Sequence, residues 1–395
     1  MARIRIEREI TLPDSLRVAR ALSAPHLGPR LLFFSGGSAL NGISRELKRY
    51  TFNSTHLITP FDSGGSSQIL RATFDMPAVG DLRSRLMALA DETVLGQPDI
   101  YALFSHRLPR DGGQKALAGQ VRAMTDGKHP LVKAIGRPMR SLIQSFLQQF
   151  TDHAPADFDY RNASVGNLII AGGYLGNDRA LEPVLFLMSK MVDVRGTVRS
   201  VVDANLQLGV ELADGRRVIG QRQITGKEVA PLATPIRRAF LSDGQRELAP
   251  GDIPLPKRSR RLIGQSDVIC YSPGSLYSSV VANLLPAGVG RAVADRPVPK
   301  VYLPSLGPDP EARGHDLADQ VAALLAPLQA DLGGDTPLPA HRLVSHVLCD
   351  SSTDPALCAA VTARHGIPCL RLPLAGDRPD RYDPRRVCEV LVSLD

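Results

Sequence analysis

Residues 30–38 read Arg30-Leu31-Leu32-Phe33-Phe34-Ser35-Gly36-Gly37-Ser38, and residues 39–49 then place Leu40, Ile43 and Leu47 at helical spacing. A short apolar run closed by two glycines and followed by a period of 3.6 predicts a buried strand, a tight turn and a helix. The pattern then repeats. Residues 55–59 predict a second strand, which ends at Pro60-Phe61-Asp62-Ser63-Gly64-Gly65-Ser66-Ser67. Strand, glycine turn, helix, strand, glycine turn is the opening of a βαβ frame.

Outward from this start, residues 3–9 alternate polar and apolar and predict an edge strand, and residues 13–22 predict a helix with Pro13 near its start. Residues 82–150 have helical periodicity, with one stripe through Leu82, Leu86, Leu89 and Ala90 and another through Leu142, Ile143, Phe146 and Leu147. Residues 164–191 continue it, with the small residues Gly166, Ala171, Gly172 and Gly173. A helical insertion is therefore expected at about residues 91–160. Residues 197–202, 206–212 and 218–224 are β-rich, and Asp214-Gly215 is a hairpin signal. They predict a small antiparallel element at about 197–224. Residues 225–261 are Pro-rich and basic and are expected to form a linker.

The frame resumes with a strand at 266–271, the turn Ser272-Pro273-Gly274-Ser275 and a helix at 276–285. Strands at 300–303, 343–349 and 368–372 alternate with helices at 315–328, 355–365 and 384–394. The fold class expected is α/β: a doubly wound, mostly parallel Rossmann-like sheet with an inserted β-hairpin element and a helical insertion. Length alone admits two or three domains, but residues 1–395 are read as one α/β domain.

The composition excludes several function classes. The 395 residues carry 47 Lys and Arg against 40 Asp and Glu, a net charge of +7 spread thinly. The densest basic cluster, Lys257, Arg258, Arg260 and Arg261, is read as a solvated face. No nucleic-acid-binding motif accompanies it. Tryptophan is absent and aromatics are 5% of residues, which argues against base-stacking platforms. No nucleic acid and no membrane are expected as partners, since no apolar run reaches 18 residues. The opening is read as carrying no secretory signal. With Cys270, Cys349, Cys358, Cys369 and Cys388 lacking any C-x-x-C spacing, free thiols in a reducing, cytoplasmic setting are expected.

The candidate chemistry lies on three turns. At Gly36, Gly37 and Ser38 the backbone can approach a ligand while a helix N-terminus offers N–H groups to an anion. This turn is not a Walker A loop, which needs a Lys-Ser/Thr pair, and it is not G-x-G-x-x-G. At the second turn, Gly64, Gly65, Ser66 and Ser67 can form an anion nest, Asp62 can hold a metal or accept a hydroxyl proton, and Arg71 can neutralise charge. Asp81, ten residues on, either caps the next helix or adds a second carboxylate suited to Mg²⁺. The third turn carries Gly274 and Ser275 for phosphate and Tyr277 for a base or sugar. Asn162 and Asn167 head an apolar helix and either cap it or reach a ligand. Each turn alone also reads as a helix cap or surface loop. No His or Cys group has metal-ligand spacing, and His341 and His346 lie five apart in a strand region.

Taken in order, residues 35–40, 59–71, 80–83, 162–168, the hairpin at Asp214-Gly215, residues 273–285 and Arg381-Tyr382-Asp383-Pro384 resemble the CofD-like family. That family includes phospholactyl transferases of deazaflavin coenzyme synthesis and YvcK-type proteins that bind UDP-sugars. The resemblance implies a nucleotide-linked small-molecule ligand and two alternative functions. One is transfer of a phosphoryl-linked group from a nucleotide diphosphate carrier to an acceptor hydroxyl, with Mg²⁺ held by Asp62 and Asp81. The other is non-catalytic UDP-sugar binding by a metabolic regulator. It also implies that Tyr277 contacts the nucleoside, that Arg313 sits on the opposing loop, and that the chain forms a homodimer. The chain departs from the family's usual pattern at Asp62-Ser63, where two acids are usual. It departs again at Pro77-Ala78-Val79-Gly80-Asp81, one residue longer, and at Ser38-Ala39 in place of Thr-Gly.

Overall fold

The computed structural model describes residues 9–93, 96–226, 229–334 and 337–395. Its strands are β1 (Leu31–Ser35), β2 (Thr55–Ile58), β3 (Thr197–Ser200), β4 (Gln207–Leu212), β5 (Arg217–Ile219), β6 (Ile236–Ser242), β7 (Val268–Tyr271), β8 (Lys300–Tyr302), β9 (His346–Asp350) and β10 (Cys369–Leu372). Seven of them form one sheet in the order β10-β9-β8-β7-β1-β2-β3, with every pairing parallel. The other three form an antiparallel sheet, β5-β4-β6.

All five residues of β1 are buried. A central parallel strand is covered on both faces, so it reads as a continuous apolar run. Its alternate side chains feed two cores. Leu31 and Phe33 pack with Ile43, Leu47, Val387 and Leu391 from helices Asn41–Leu47 and Pro384–Ser393. Leu32 and Phe34 join Ile269, Tyr271, Val321 and Leu324 on the other face, beneath helix Leu317–Leu332.

The chain builds β1, β2 and β3 outward in one direction, then returns to place β7 on the other side of β1. The sheet therefore has its topological switch point between β1 and β7. In open α/β sheets ligands bind at the carboxyl ends of the strands flanking such a point.

The helical segment between β2 and β3 has its own core, which includes Leu86, Phe104, Val121, Phe146, Phe150 and Leu168. Gly172 allows its closest crossing: a Cβ there would collide with the carbonyl of Phe146 on the neighbouring helix.

The structure corrects several expectations. Thr197–Ser200 is the parallel edge strand beside β2, not part of the antiparallel element. β-propensity marks a strand but does not name its partner. The stretch expected as a linker at 225–261 holds regular elements among its described residues. Ile236–Ser242 pairs with β4, and Lys257–Gln265 is a helix. The charges that disguised β6 serve the sheet, since Arg238 bonds Glu211 at 2.9 Å and Glu247 at 2.6 Å. The helix expected at 276–285 is a π turn, Leu276–Val280, followed by a 3-10 turn, Val281–Leu284. His341 lies in a short 3-10 turn and only His346 is on a strand. The strand expected at 3–9 falls almost wholly outside the described residues.

Candidate functional site

β7, β1 and β2 are neighbours, so the three turns that follow them stand side by side at the switch point. Gly36 shows how close they come. A Cβ there would stand 2.7 Å from Thr59 Oγ1, at the end of β2, and 3.0 Å from Ser279 Cα, beyond β7. Thr59 Oγ1 is buried and has no hydrogen-bond partner among the described residues. Only a glycine lets the turns after β1, β2 and β7 pack this closely.

The second turn and the start of helix Gly80–Leu89 enclose a cavity of about 230 Å³, lined by Asp62, Gly64, Gly65, Ser66, Ser67, Gly80, Asp81, Arg83, Ser84, Arg107 and Asn167. Gly80 is held to glycine by proximity: a Cβ would collide with Ser67 Oγ and stand 2.6 Å from Asp62 Oδ2. The two acids expected from the sequence thus face one space. Asp62 Oδ1 accepts from Gly64 N at 3.0 Å, and Asp81 Oδ2 accepts from Gly37 N at 2.7 Å. Asp81 sits inside the first turn of helix Gly80–Leu89, whose N-cap position is Val79, and it ties that helix to the first turn instead of serving as the expected cap.

Three arginines missed by sequence reasoning complete the electrostatics. Arg83 donates to Asn167 Oδ1 at 2.9 Å, and Asn167 Nδ2 donates to Ser66 Oγ at 3.0 Å. Burial, then the positive charge of Arg107, push the Arg83 guanidinium down to about 10, against the pull of Asp81. Arg85 is fully buried behind the first turn, donates to Ser44 Oγ at 2.6 Å, and is likewise pushed down to about 10 by burial. Arg107 holds the Asn162 carbonyl at 2.7 Å and is lowered by burial and by Arg110. Cations whose protonation is made harder by burial and by neighbouring arginines are stabilised by an incoming anion. Their signal in the sequence was the run Asp81-Leu82-Arg83-Ser84-Arg85, in which Asp81 and Arg85 are four apart on one helix.

The third turn is organised by acids that sequence reasoning also missed. Leu276 N donates to Asp309 Oδ2 at 2.7 Å; Tyr277 N and Ser278 N donate to Glu311 Oε2 at 2.9 and 2.8 Å; Ser278 Oγ donates to Glu311 Oε1 at 2.6 Å. The N–H nest here is filled by the protein's own carboxylates. Glu311 is 1% exposed, and burial followed by the charge of Asp309 raises its carboxyl to about 7. Gly274 stays in the crevice, its N–H and carbonyl both bonded to Ser305 Oγ, beside a polar pocket of about 190 Å³.

Four expected ligand residues are placed elsewhere. The Arg71 donors go to Asn205 Oδ1 and to the carbonyls of Phe61 and Leu206, so this side chain clamps backbone. Tyr277 is buried under the small sheet, its hydroxyl within 3.1 Å of the Ile236 carbonyl and 2.9 Å of His315 Nε2. Arg313 is exposed and reaches the Leu232 carbonyl at 3.4 Å. Asn162 adopts a left-handed conformation, φ 56°, and contributes its carbonyl to Arg107.

Comparison with known proteins agrees with this frame. A family model described as 2-phospho-L-lactate transferase CofD matches residues 31–367. The gluconeogenesis factor of Bacillus subtilis is 29% identical over 297 residues, 75% of this chain and 74% of that protein. Its counterpart in Halalkalibacterium halodurans is 28% identical over 75% of this chain and 72% of that one. A Nostoc sp. protein provisionally given the same name is 28% identical over 80% of this chain, which spans only 55% of that longer relative. Among solved structures, a UPF0052 family member from Bacillus halodurans superposes with a TM-score of 0.66 at 23% identity, covering 92% of this chain and 99% of that one, a likeness of fold.

Proposed function

The chain belongs to the CofD family, and on that premise we propose that it binds a nucleoside-diphosphate-linked small molecule across the carboxyl ends of β7, β1 and β2, as a metabolic factor of the gluconeogenesis-factor kind. The observation that carries this reading is the cavity of about 230 Å³ in which the glycines and serines of the second turn face Arg83 and Arg107. Bare backbone and guanidinium groups are what a pyrophosphate needs. The names of the relatives support the metabolic part. No helix among the described residues is long and apolar enough to cross a membrane, and the described cysteines are free thiols. Both facts suit the cytoplasmic setting that we include in the proposal.

A second reading is transfer of a phosphoryl-linked group to an acceptor hydroxyl. It is favoured by Asp62 and Asp81 lining the same cavity as Arg83 and Arg107. Asp62 would take the hydroxyl proton while the arginines neutralise charge on the phosphoryl oxygens. Two carboxylates among the Ser67 and Ser84 hydroxyls are an all-oxygen donor set that fits Mg²⁺. Bound there by Asp62 and Asp81, the ion would supply further charge neutralisation to the diphosphate. The binding reading stands first because the large apolar cavity, about 300 Å³ between β6 and helix Leu317–Leu332, shares no lining residue with the acidic one. An acceptor lodged in it would touch no residue that lines the Asp62 cavity.

Titration of UDP-sugars and GDP, with and without Mg²⁺, into the native protein and Asp62→Ala tests the choice. Binding without product formation in both supports the first reading. Turnover that disappears in Asp62→Ala while affinity changes little replaces it with the second.

A further inference from the structure

Cys349, Cys358 and Cys369 are separated by nine and eleven residues, spacings that suggest no ligand set. The fold brings them together. Cys349 lies on β9 and Cys369 begins β10, which pairs in parallel with Cys369 opposite Val347. Residues two apart on a strand share a face, so Cys349 and Cys369 point to the same side of the sheet. Helix Pro355–His365 covers that side and lowers Cys358 onto it. All three Sγ atoms lie within 4.8 Å of one another.

We propose that these three thiols form a zinc site, with water as the fourth ligand. Zinc–sulfur bonds of about 2.3 Å set the sulfurs of a tetrahedral or trigonal ion roughly 3.8–4.0 Å apart. The observed triangle needs only a small contraction. Cys349 is fully buried and Cys358 nearly so, while Cys369 is partly exposed, so solvent reaches one corner. That corner gives the ion an entry path and the water its position. Binding replaces three thiol protons, which leave to solvent, by three sulfur–zinc bonds, with no change of oxidation state. The site would tie the β9–β10 edge to its covering helix, far along the sheet from β1 and β2. It does not depend on the ligand proposed above.

The test is zinc titration of the full-length reduced protein against a chromophoric chelator, with Co²⁺ substitution read as thiolate-to-cobalt charge-transfer absorption. One equivalent is expected to bind, with an intensity corresponding to three thiolates. Cys369→Ser and Cys358→Ser should each weaken zinc by more than the roughly 10–100-fold that loss of an outer partner costs a metal site. Cys388→Ala, on the opposite face of the sheet, should leave it unchanged. Circular dichroism of Cys369→Ser, the partly exposed position, separates lost binding from lost folding. Zinc retention that survives both serine variants overturns the proposal. So does a cluster that binds no zinc and forms a disulfide in air, read as a mass loss of two hydrogens.

Discussion

The carboxylate of Asp81 accepts a 2.7 Å hydrogen bond from the backbone N–H of Gly37, 44 residues away. One acid at the start of a helix thereby sets the conformation of the turn after β1. A charge-assisted bond of this kind contributes about 1.5–3 kcal/mol. Asp81→Ala should lower stability by that order and weaken ligand binding in parallel. Asp81→Asn should restore part of the stability, because an amide oxygen still accepts from Gly37. Thermal denaturation with and without ligand checks both.

Gly80→Ala should separate binding from folding. The added methyl would press on Ser67 Oγ and on Asp62 Oδ2, and overpacking of this size costs about 1–3 kcal/mol. The strain falls on the cavity wall, so affinity should drop while the far-ultraviolet circular dichroism stays native. Unaltered affinity would place the ligand elsewhere.

Glu311 predicts a pH effect. Its carboxyl is raised from 4.5 to about 7 in the folded protein. Between those values the native state binds more protons than the unfolded state, so this group's contribution is present at low pH and is lost as pH rises toward 7. Glu311→Gln keeps the shape and removes the titration. Stability measured by urea unfolding from pH 4.5 to 7.5 should fall with pH more steeply in the native protein than in the variant.

Binding should also weaken with salt. Arg83 is held down by burial and by Arg107, and Arg107 by burial and by Arg110, and an anion drawn to them is screened as ionic strength rises. Arg107→Ala, which removes the more exposed cation, should flatten that salt dependence in a calorimetric titration.

These residues show what a sequence does and does not disclose. The strands at residues 31–35, 55–58 and 268–271 are legible because each is an apolar run closed by a small-residue turn, and the doubly wound frame follows from their alternation with helices. Asp62 and Asp81 were open to a structural reading as turn and cap residues, and only the fold shows that both line one cavity. Arg83, Arg85 and Asp309 were hidden because a charged residue on a helix or loop is usually solvated, and only packing turns these inward. Tyr277 is placed by tertiary packing that its own turn does not reveal: it lies under the small sheet and lines the apolar cavity between β6 and helix Leu317–Leu332. Ile236–Ser242 was hidden by Arg237 and Arg238, whose partners Glu211 and Glu247 lie across the sheet or beyond a turn.

The central claim is that the turns after β7, β1 and β2 hold the diphosphate of a nucleotide-linked ligand. The most direct measurement is a thermal-shift comparison of the native protein and Gly80→Ala with UDP-sugars, GDP, UDP and free nucleosides. At about 100 times its dissociation constant a ligand adds roughly 2.7 kcal/mol of apparent stability. The account predicts such a shift with at least one diphosphate, none with the nucleosides, and its loss in Gly80→Ala. A shift of equal size in both proteins, or no shift with any diphosphate, would contradict it.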